Sequence, residues 1–285
     1  LTDAIAVLAK YVDQGGATLL EKADAVYGGN VKNWVVYANS LMLRLAMRVY
    51  YADAALSQKY ALQAINHRYG VMKGKEDEAK MEQGAGLGFK NNLDVLINQY
   101  NECRMGSSMF AYLAGYEDPR LPKYFTQSTI YQAVNVGKLG KYCAVPTGHS
   151  LPSNKTFKDC SKPNIPPTTP TYWMRASEVY FLKAEAALRG WAVGATAEEL
   201  YKQGIAMSFE ENGVPASQLN DYMNSTREPM QYKMTMYSPY ISVEEAPVSQ
   251  ASVKWEGDTE RKLEKIMIQK WIALYPNGQE AWSEY

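Results

Sequence analysis

The stretch Tyr172–Trp191, YWMRASEVYFLKAEAALRGW, constrains the chain most, because it is the longest segment that fits only a helix buried over most of its circumference. At about 100° per residue, Arg175, Glu178, Glu185 and Arg189 fall within an arc of roughly 80°. Met174, Phe181, Ala184, Leu188 and Trp191 recur at three-and-four spacing around the rest. A thin charged seam crosses an apolar rod. Two carboxylates on one face raise acid–base catalysis, but Arg175 stands three before Glu178 and Arg189 four after Glu185, which are helix-pair spacings. Ion pairs, within the helix or to a neighbour, are the simpler reading, since perturbed catalytic carboxylates need a cleft that the sequence does not reveal. Gly190 and Gly194 stop the helix. Thr196-Ala197-Glu198-Glu199 is a capping box opening a return helix through Leu200, Tyr201, Ile205 and Phe209, which completes a helical hairpin.

The pattern recurs. Ile5, Leu8 and Val12 mark a first helix ended by Gly15-Gly16, and a short segment from Ala17 to Tyr27 runs into Gly28-Gly29-Asn30. That glycine pair makes a turn and not a phosphate loop, because no GxxxxGK[ST] follows. In NWVVYANSLMLRLAMRVYY, Trp34, Ala38, Leu41, Leu45 and Val49 form one stripe while Arg44 and Arg48 stack one turn apart. An unpaired buried guanidinium is costly, so Arg44 or Arg48 is expected to pair with Glu178 or Glu185. Asp53 opens a further helix through Leu56, Tyr60 and Ala64, closed by Tyr69-Gly70. A last helix starts at Asp258, carries Leu263, Met267, Trp271 and Leu274, and stops at Pro276-Asn277-Gly278, after which Gln279-Glu280-Ala281-Trp282 starts another. Three hairpins with small contact residues such as Ala184 and Ala187 predict an all-α fold of tetratricopeptide-like helical hairpins with long irregular loop insertions and minor β at most. No strict repeat period accompanies them.

Between the hairpins the periodicity lapses. From Val71 to Met105 come charges, then Gly84, Gly86 and Gly88, then Asn91-Asn92; a short helix follows at Ser107–Leu113, and Asp118-Pro119-Arg120-Leu121-Pro122 forces a turn. Irregular tracts at Tyr124–Tyr172 and Asn224–Trp255 hold Tyr131, Tyr142, Phe157, Tyr232, Tyr237, Tyr240 and Trp255, with a short strand or hairpin around Tyr232. Loops this long inside a compact domain are functional or disordered, and the aromatics argue against disorder.

Several function classes drop out. Lys and Arg balance Asp and Glu at 30 each with no basic run, so the electrostatic footprint of a nucleic-acid binder is missing. With only His67 and His149, and with Cys103, Cys143 and Cys160 in no metal spacing, the chain lacks the ligands for a zinc site or a Ser-His triad, and no cofactor is expected. Cys143 and Cys160 can pair across a loop, although free thiols are the preferred reading. No apolar run approaches the ~20 residues of a membrane span. The 22 tyrosines against 6 phenylalanines favour half-wet surfaces, where a ring packs and a hydroxyl finds a partner.

Three segments together, NSLMLRLAMR at Asn39–Arg48, SEVYFLKAEAALRGW at Ser177–Trp191 and IMIQKWIALYPNGQEAWSEY at Ile266–Tyr285, resemble the SusD/RagB family, SusD-like branch. VYGGNVKNW ahead of the first and DPRLPKYF at Asp118 fit the same order and spacing. The resemblance spans nearly the whole chain. It implies a lipid-anchored outer-membrane protein on the cell surface, with tetratricopeptide-like helix pairs, that captures oligosaccharides or polysaccharides, in some members peptides, without catalysis. Such a protein delivers its ligand to a TonB-dependent (SusC-like) transporter. It also implies a lipidated cysteine and further helices ahead of Leu1 and more chain after Tyr285, so residues 1–285 read as a single SusD-like domain incomplete at both ends. The shared segments are scaffold helices and assign no binding residue.

Capture of glycans asks for aromatic rings to stack on sugar faces and amides to bond hydroxyls, on loops held by a rigid scaffold. The irregular tracts supply Asn91, Asn92, Tyr131, Tyr142, Tyr232 and Tyr237 as candidate ligand-binding residues; for any one tyrosine, pinning the loop is the competing role. The alternative function is a tetratricopeptide-like scaffold for proteins or peptides. A glycoside hydrolase using Glu178 and Glu185 fits poorly, because seven helical residues span about 10.5 Å, wider than a retaining pair and at the edge of the inverting range.

Overall fold

A computed structural model describes residues 1–82, 88–150, 157–236 and 241–284. The helices are α1 (Thr2–Asp13), α2 (Val31–Arg48), α3 (Ala54–Ile65), α4 (Ser107–Gly115), α5 (Leu121–Tyr124), α6 (Ala176–Leu188), α7 (Ala197–Glu211), α8 (Leu219–Met223), α9 (Thr259–Leu274) and α10 (Gly278–Ser283). The strands are β1 (Ala79–Met81), β2 (Val134–Asn135), β3 (Lys141–Tyr142), β4 (Thr171–Met174), β5 (Tyr232–Met236) and β6 (Ile241–Glu245), joined as the antiparallel pairs β1–β4, β2–β3 and β5–β6. The fold is all-α and tetratricopeptide-like with minor β, as the periodicity predicts. Among the described residues no helix is long and apolar enough to cross a membrane.

The chain forms two compact units. The first comprises Leu1–Phe89, Pro170–Glu211 and Gly257–Tyr285. Its centre is α6, which packs on α2, α7 and α9 and is apolar nearly all round, with Phe181, Leu182, Ala184 and Ala186 fully buried. In the hairpins α2–α3, α6–α7 and α9–α10, the helices α2, α3, α7 and α9 start where short polar side chains answer the free N–H groups of a first turn. Asn30, Asp53 and Asp258 accept from Asn33 N, Leu56 N and Arg261 N at 3.1, 2.9 and 2.8 Å. Ahead of α7 the Glu199 carboxylate accepts from Thr196 N at 2.8 Å while Thr196 Oγ1 accepts from Glu199 N at 3.2 Å, the reciprocal box expected from the sequence. Gly204 lets α7 come down on α6: a Cβ there would sit 2.7 Å from Phe181 Cε1.

One boundary differs from the expectation. Thr171–Met174 is a strand paired with Ala79–Met81, and the helix begins at Ala176, not Tyr172. Thr, Tyr and Trp suit a pleated, half-buried surface, and the extended Arg175 (φ −116°, ψ 155°) turns the chain from strand into helix.

The second unit comprises Lys90–Thr169 and Asn212–Glu256. It contains α4, α5, α8 and the two hairpins β2–β3 and β5–β6, around buried Phe110, Leu113, Tyr142, Phe157 and Tyr232. The predicted turn at Asp118–Pro122 holds a single helical turn, α5, with Pro122 in its first positions, where no backbone donor is needed. It is fixed by a polar core group. Asp118 and Arg120 are both fully buried and meet through Oδ1–Nε at 3.0 Å and Oδ2–Nη2 at 2.6 Å, and the Tyr222 hydroxyl donates to Asp118 Oδ2 at 2.5 Å. Mutual satisfaction of this kind is what makes a buried ion pair tolerable.

Candidate functional site

The charged seam of α6 is an ion-pair network. Glu178 receives Arg44 through two parallel bonds, Nε–Oε1 and Nη2–Oε2, each 2.6 Å, with both side chains buried. This is the expected pairing. Arg44 also donates to Glu280 Oε2 and to the Trp173 carbonyl, both at 3.2 Å. Burial works against its charge, but the adjacent Glu178 carboxylate outweighs that and holds the guanidinium above its ordinary range. Arg48 instead bonds Glu280 and Glu284 of the C-terminal segment, and Glu185 takes Arg189 at 2.6 Å with Lys270 at 3.9 Å. Arg175, expected to pair along the helix with Glu178, sits ahead of it and reaches Glu78 at 3.3 Å and Glu211 at 3.4 Å. Burial, with Glu211 close by, raises the Glu78 carboxyl to about 7 although Arg175 opposes the shift.

Glu178, Glu280 and Glu284 bring carboxylate oxygens within 4.8 Å of one another, the spacing of a cation site. Arg44, Arg48 and Lys270 already bond into that group, so its negative charge is answered by three fixed cations. Both oxygens of Glu178 are spent on Arg44. The seam holds helices together and presents no carboxylate aimed at a substrate.

The predicted loop residues separate by burial. Asn91 is buried, its Nδ2 donating to Thr169 O and its Oδ1 accepting from Leu93 N, both at 3.0 Å. Tyr142 is fully buried, with its hydroxyl donating to Leu139 O at 3.0 Å, and buried Tyr232 donates to Ala144 O at 2.9 Å. These three pin loops, and none leaves a ring or amide facing solvent. Asn92 is exposed, and Tyr131 is 94% exposed. Tyr237 lies outside the described residues. Of the predicted residues that the structure describes, Asn92 and Tyr131 are the two that face solvent.

A feature the sequence reading missed lies in the first unit. Tyr27, Trp34, Tyr37 and Trp173 form a chain of ring contacts with centroids 5.2 to 6.4 Å apart. Beside it is a groove of about 450 Å³ whose walls include Leu8, Leu19, Leu20, Met81, Trp34 and Trp173. Asp24 organises the turn beneath. It accepts from Trp34 Nε1 at 2.7 Å and from the backbone N–H groups of Val26, Tyr27 and Gly29 at 2.8 to 3.1 Å. Burial pulls its carboxyl up, but these four donors outweigh burial and keep it below its ordinary range. The groove's lining side chains are apolar apart from Asp24, whose carboxylate is already committed to four donors, so it suits an apolar body better than a heavily hydroxylated one. Trp173 escaped notice because it reads as part of the helix; the Thr-Tyr-Trp run was the available strand signal.

A profile described as SusD-like, "Susd and RagB outer membrane lipoprotein", matches residues 1–285. Among solved structures, the chain is similar to a SusD homologue from Bacteroides thetaiotaomicron, with 35% identity over 94% of this chain and 54% of that one and a TM-score of 0.83. It is similar also to a chitin-binding SusD homologue from Flavobacterium johnsoniae, with 34% identity over 99% of this chain and 56% of that one and a TM-score of 0.86. A SusD homologue from Bacteroides ovatus matches at 32% identity over 99% and 57% of the two chains, with a TM-score of 0.86. The chain thus spans little more than half the length of these relatives. No curated protein matches it.

Proposed function

The chain belongs to the SusD-like family of SusD and RagB outer-membrane lipoproteins, and on that premise we propose that it is part of a non-catalytic cell-surface protein that captures oligosaccharides and delivers them to a TonB-dependent, SusC-like transporter. The observation that carries this reading is similarity running through the whole chain to a relative whose described ligand is a glycan, chitin. The rigid α2–α3, α6–α7 and α9–α10 scaffold, bound internally by its own charges, supports a holding role, with ligand contact assigned to loops such as those carrying Asn92 and Tyr131. A binding protein outside the membrane has no means of moving its ligand across, so a channel-forming partner completes the function.

Co-purification from mildly solubilised outer membrane tests the delivery half. Recovery of the full-length protein with a TonB-dependent transporter, and loss of glycan uptake when that transporter is deleted, are expected. Recovery alone with uptake intact contradicts delivery.

A further inference from the structure

We propose that Cys143 and Cys160 are joined by a disulfide in the mature protein, a covalent clasp on the loop between them. Both are buried, and their Sγ atoms stand 3.0 Å apart. That is closer than two unbonded sulfurs rest comfortably and about 1 Å beyond the ~2.0 Å bond, so closure needs only a small side-chain adjustment.

The approach is set by groups other than sulfur. Ser161 N donates to Cys143 O at 2.8 Å, and Cys143 N donates to Ser161 Oγ at 3.1 Å, which lays the two cysteine segments side by side. Met105 N donates to Ser161 O and Val145 N to Met105 O, both at 2.8 Å, tying the segments to a third strand of chain. Arg104 Nε donates to Phe157 O at 2.9 Å and Nη2 to Lys158 O at 2.6 Å, fixing the approach to Cys160. Six hydrogen bonds to the backbone around them therefore aim two thiols at each other inside a core.

As thiols the pair is an awkward core element. Each offers a weak donor and a weak acceptor to the other. The contact, with burial adding to it, pushes the Cys143 thiol up, and the same contact, aided by the Arg104 guanidinium, draws Cys160 down. The reduced pair thus leaves two weakly hydrogen-bonding thiols facing each other in a largely dry site, whereas the disulfide carries no charge and needs no partner. Family membership places the protein at the outer membrane, beyond the reducing cytosol and in surroundings where disulfides persist.

The step balances by thiol–disulfide exchange with an oxidised dithiol protein of the cell envelope. One cysteine, as thiolate, attacks a sulfur of the oxidant's disulfide and releases its other sulfur as thiolate; the second cysteine, losing its proton, attacks the mixed disulfide and expels the oxidant. Two S–H bonds are lost and one S–S bond is formed, and the oxidant leaves with both electrons and both protons as a dithiol. Because both sulfurs are buried in the finished fold, exchange precedes closure of the unit, and the completed bond is then shielded from reductants.

The test uses the full-length protein isolated from the cell envelope with alkylating agent present from lysis onward, so that air oxidation cannot create the bond. Mass spectrometry after denaturation without reductant is expected to show a Cys143–Cys160 cross-linked peptide two hydrogens lighter than the separate peptides, with Cys103 alkylated. Alkylation of Cys143 and Cys160, or a link involving Cys103, overturns the proposal. In the second arm, a dithiol present throughout the melt, which reaches the bond as the unit opens, is expected to lower the unfolding temperature of the wild type and to leave the Cys143→Ala/Cys160→Ala protein unmoved; equal shifts in both overturn it.

Discussion

Glu178→Leu, Arg44→Met and their combination interrogate the centre of the scaffold. Glu178→Leu keeps most of the side-chain volume but leaves a buried guanidinium whose surviving contacts are Glu280 and the Trp173 carbonyl, both at 3.2 Å. Breaking one side of a buried pair costs about 3–5 kcal/mol, and those two contacts place this variant near ~3 kcal/mol. Arg44→Met strips both Glu178 oxygens of the 2.6 Å donors recorded for them, in a side chain only 2% exposed, and belongs nearer ~4 kcal/mol. The double variant buries no charge at that point and loses only the lesser bonds, so about 1–2 kcal/mol is expected. Urea unfolding of all four proteins, with slopes compared to confirm a common transition, gives the coupling energy. The reasoning predicts coupling of ~5 kcal/mol. Additivity within about 0.5 kcal/mol refutes it.

Other outcomes follow from the same geometry. Glu78 titrates near 7 in the folded chain against an ordinary 4.5, so the native state holds the proton more tightly than the unfolded chain. Its contribution is whole below about pH 4.5 and is lost as pH rises through 7; thermal stability should fall between about pH 4.5 and 7, by no more than ~3 kcal/mol, and Glu78→Gln should flatten that slope, an unchanged slope being the contrary result. Gly204→Ala drives a methyl group toward Phe181 and should cost about 1–3 kcal/mol of stability without changing glycan affinity, as calorimetry on the two proteins would show. Tyr131→Ala should weaken glycan binding by about 1 kcal/mol or more at constant melting temperature, whereas Tyr232→Phe should cost ~1 kcal/mol of stability at constant affinity; the opposite assignment of the two effects contradicts the loop reading.

The helical hairpins were legible because apolar period and capping residue coincide: Asn30, Asp53, Thr196 and Asp258 each stand at a helix start and each cap it. The Arg44–Glu178 pair was legible from cost alone, since opposite charges on apolar faces need each other. Arg48 was assigned less well, because which carboxylate it meets depends on where α10 lies against α2, and no spacing encodes that. β4 was hidden by a partner of three residues roughly ninety positions earlier, while Met174 and Arg175 fitted the helical period by coincidence. Tyr142 and Tyr232 show a different limit. A tyrosine that pins a loop and one that binds from it have the same composition and the same neighbours in sequence, and burial alone separates them.

The central claim, capture without conversion, is tested most directly by one titration of the full-length protein against a panel of polysaccharides and oligosaccharides, with reducing-end release followed in the same samples. Saturable binding to at least one glycan, with no growth of reducing ends over the incubation, is the predicted result. Sustained release of reducing ends, or binding to a peptide panel with no glycan bound at all, contradicts it.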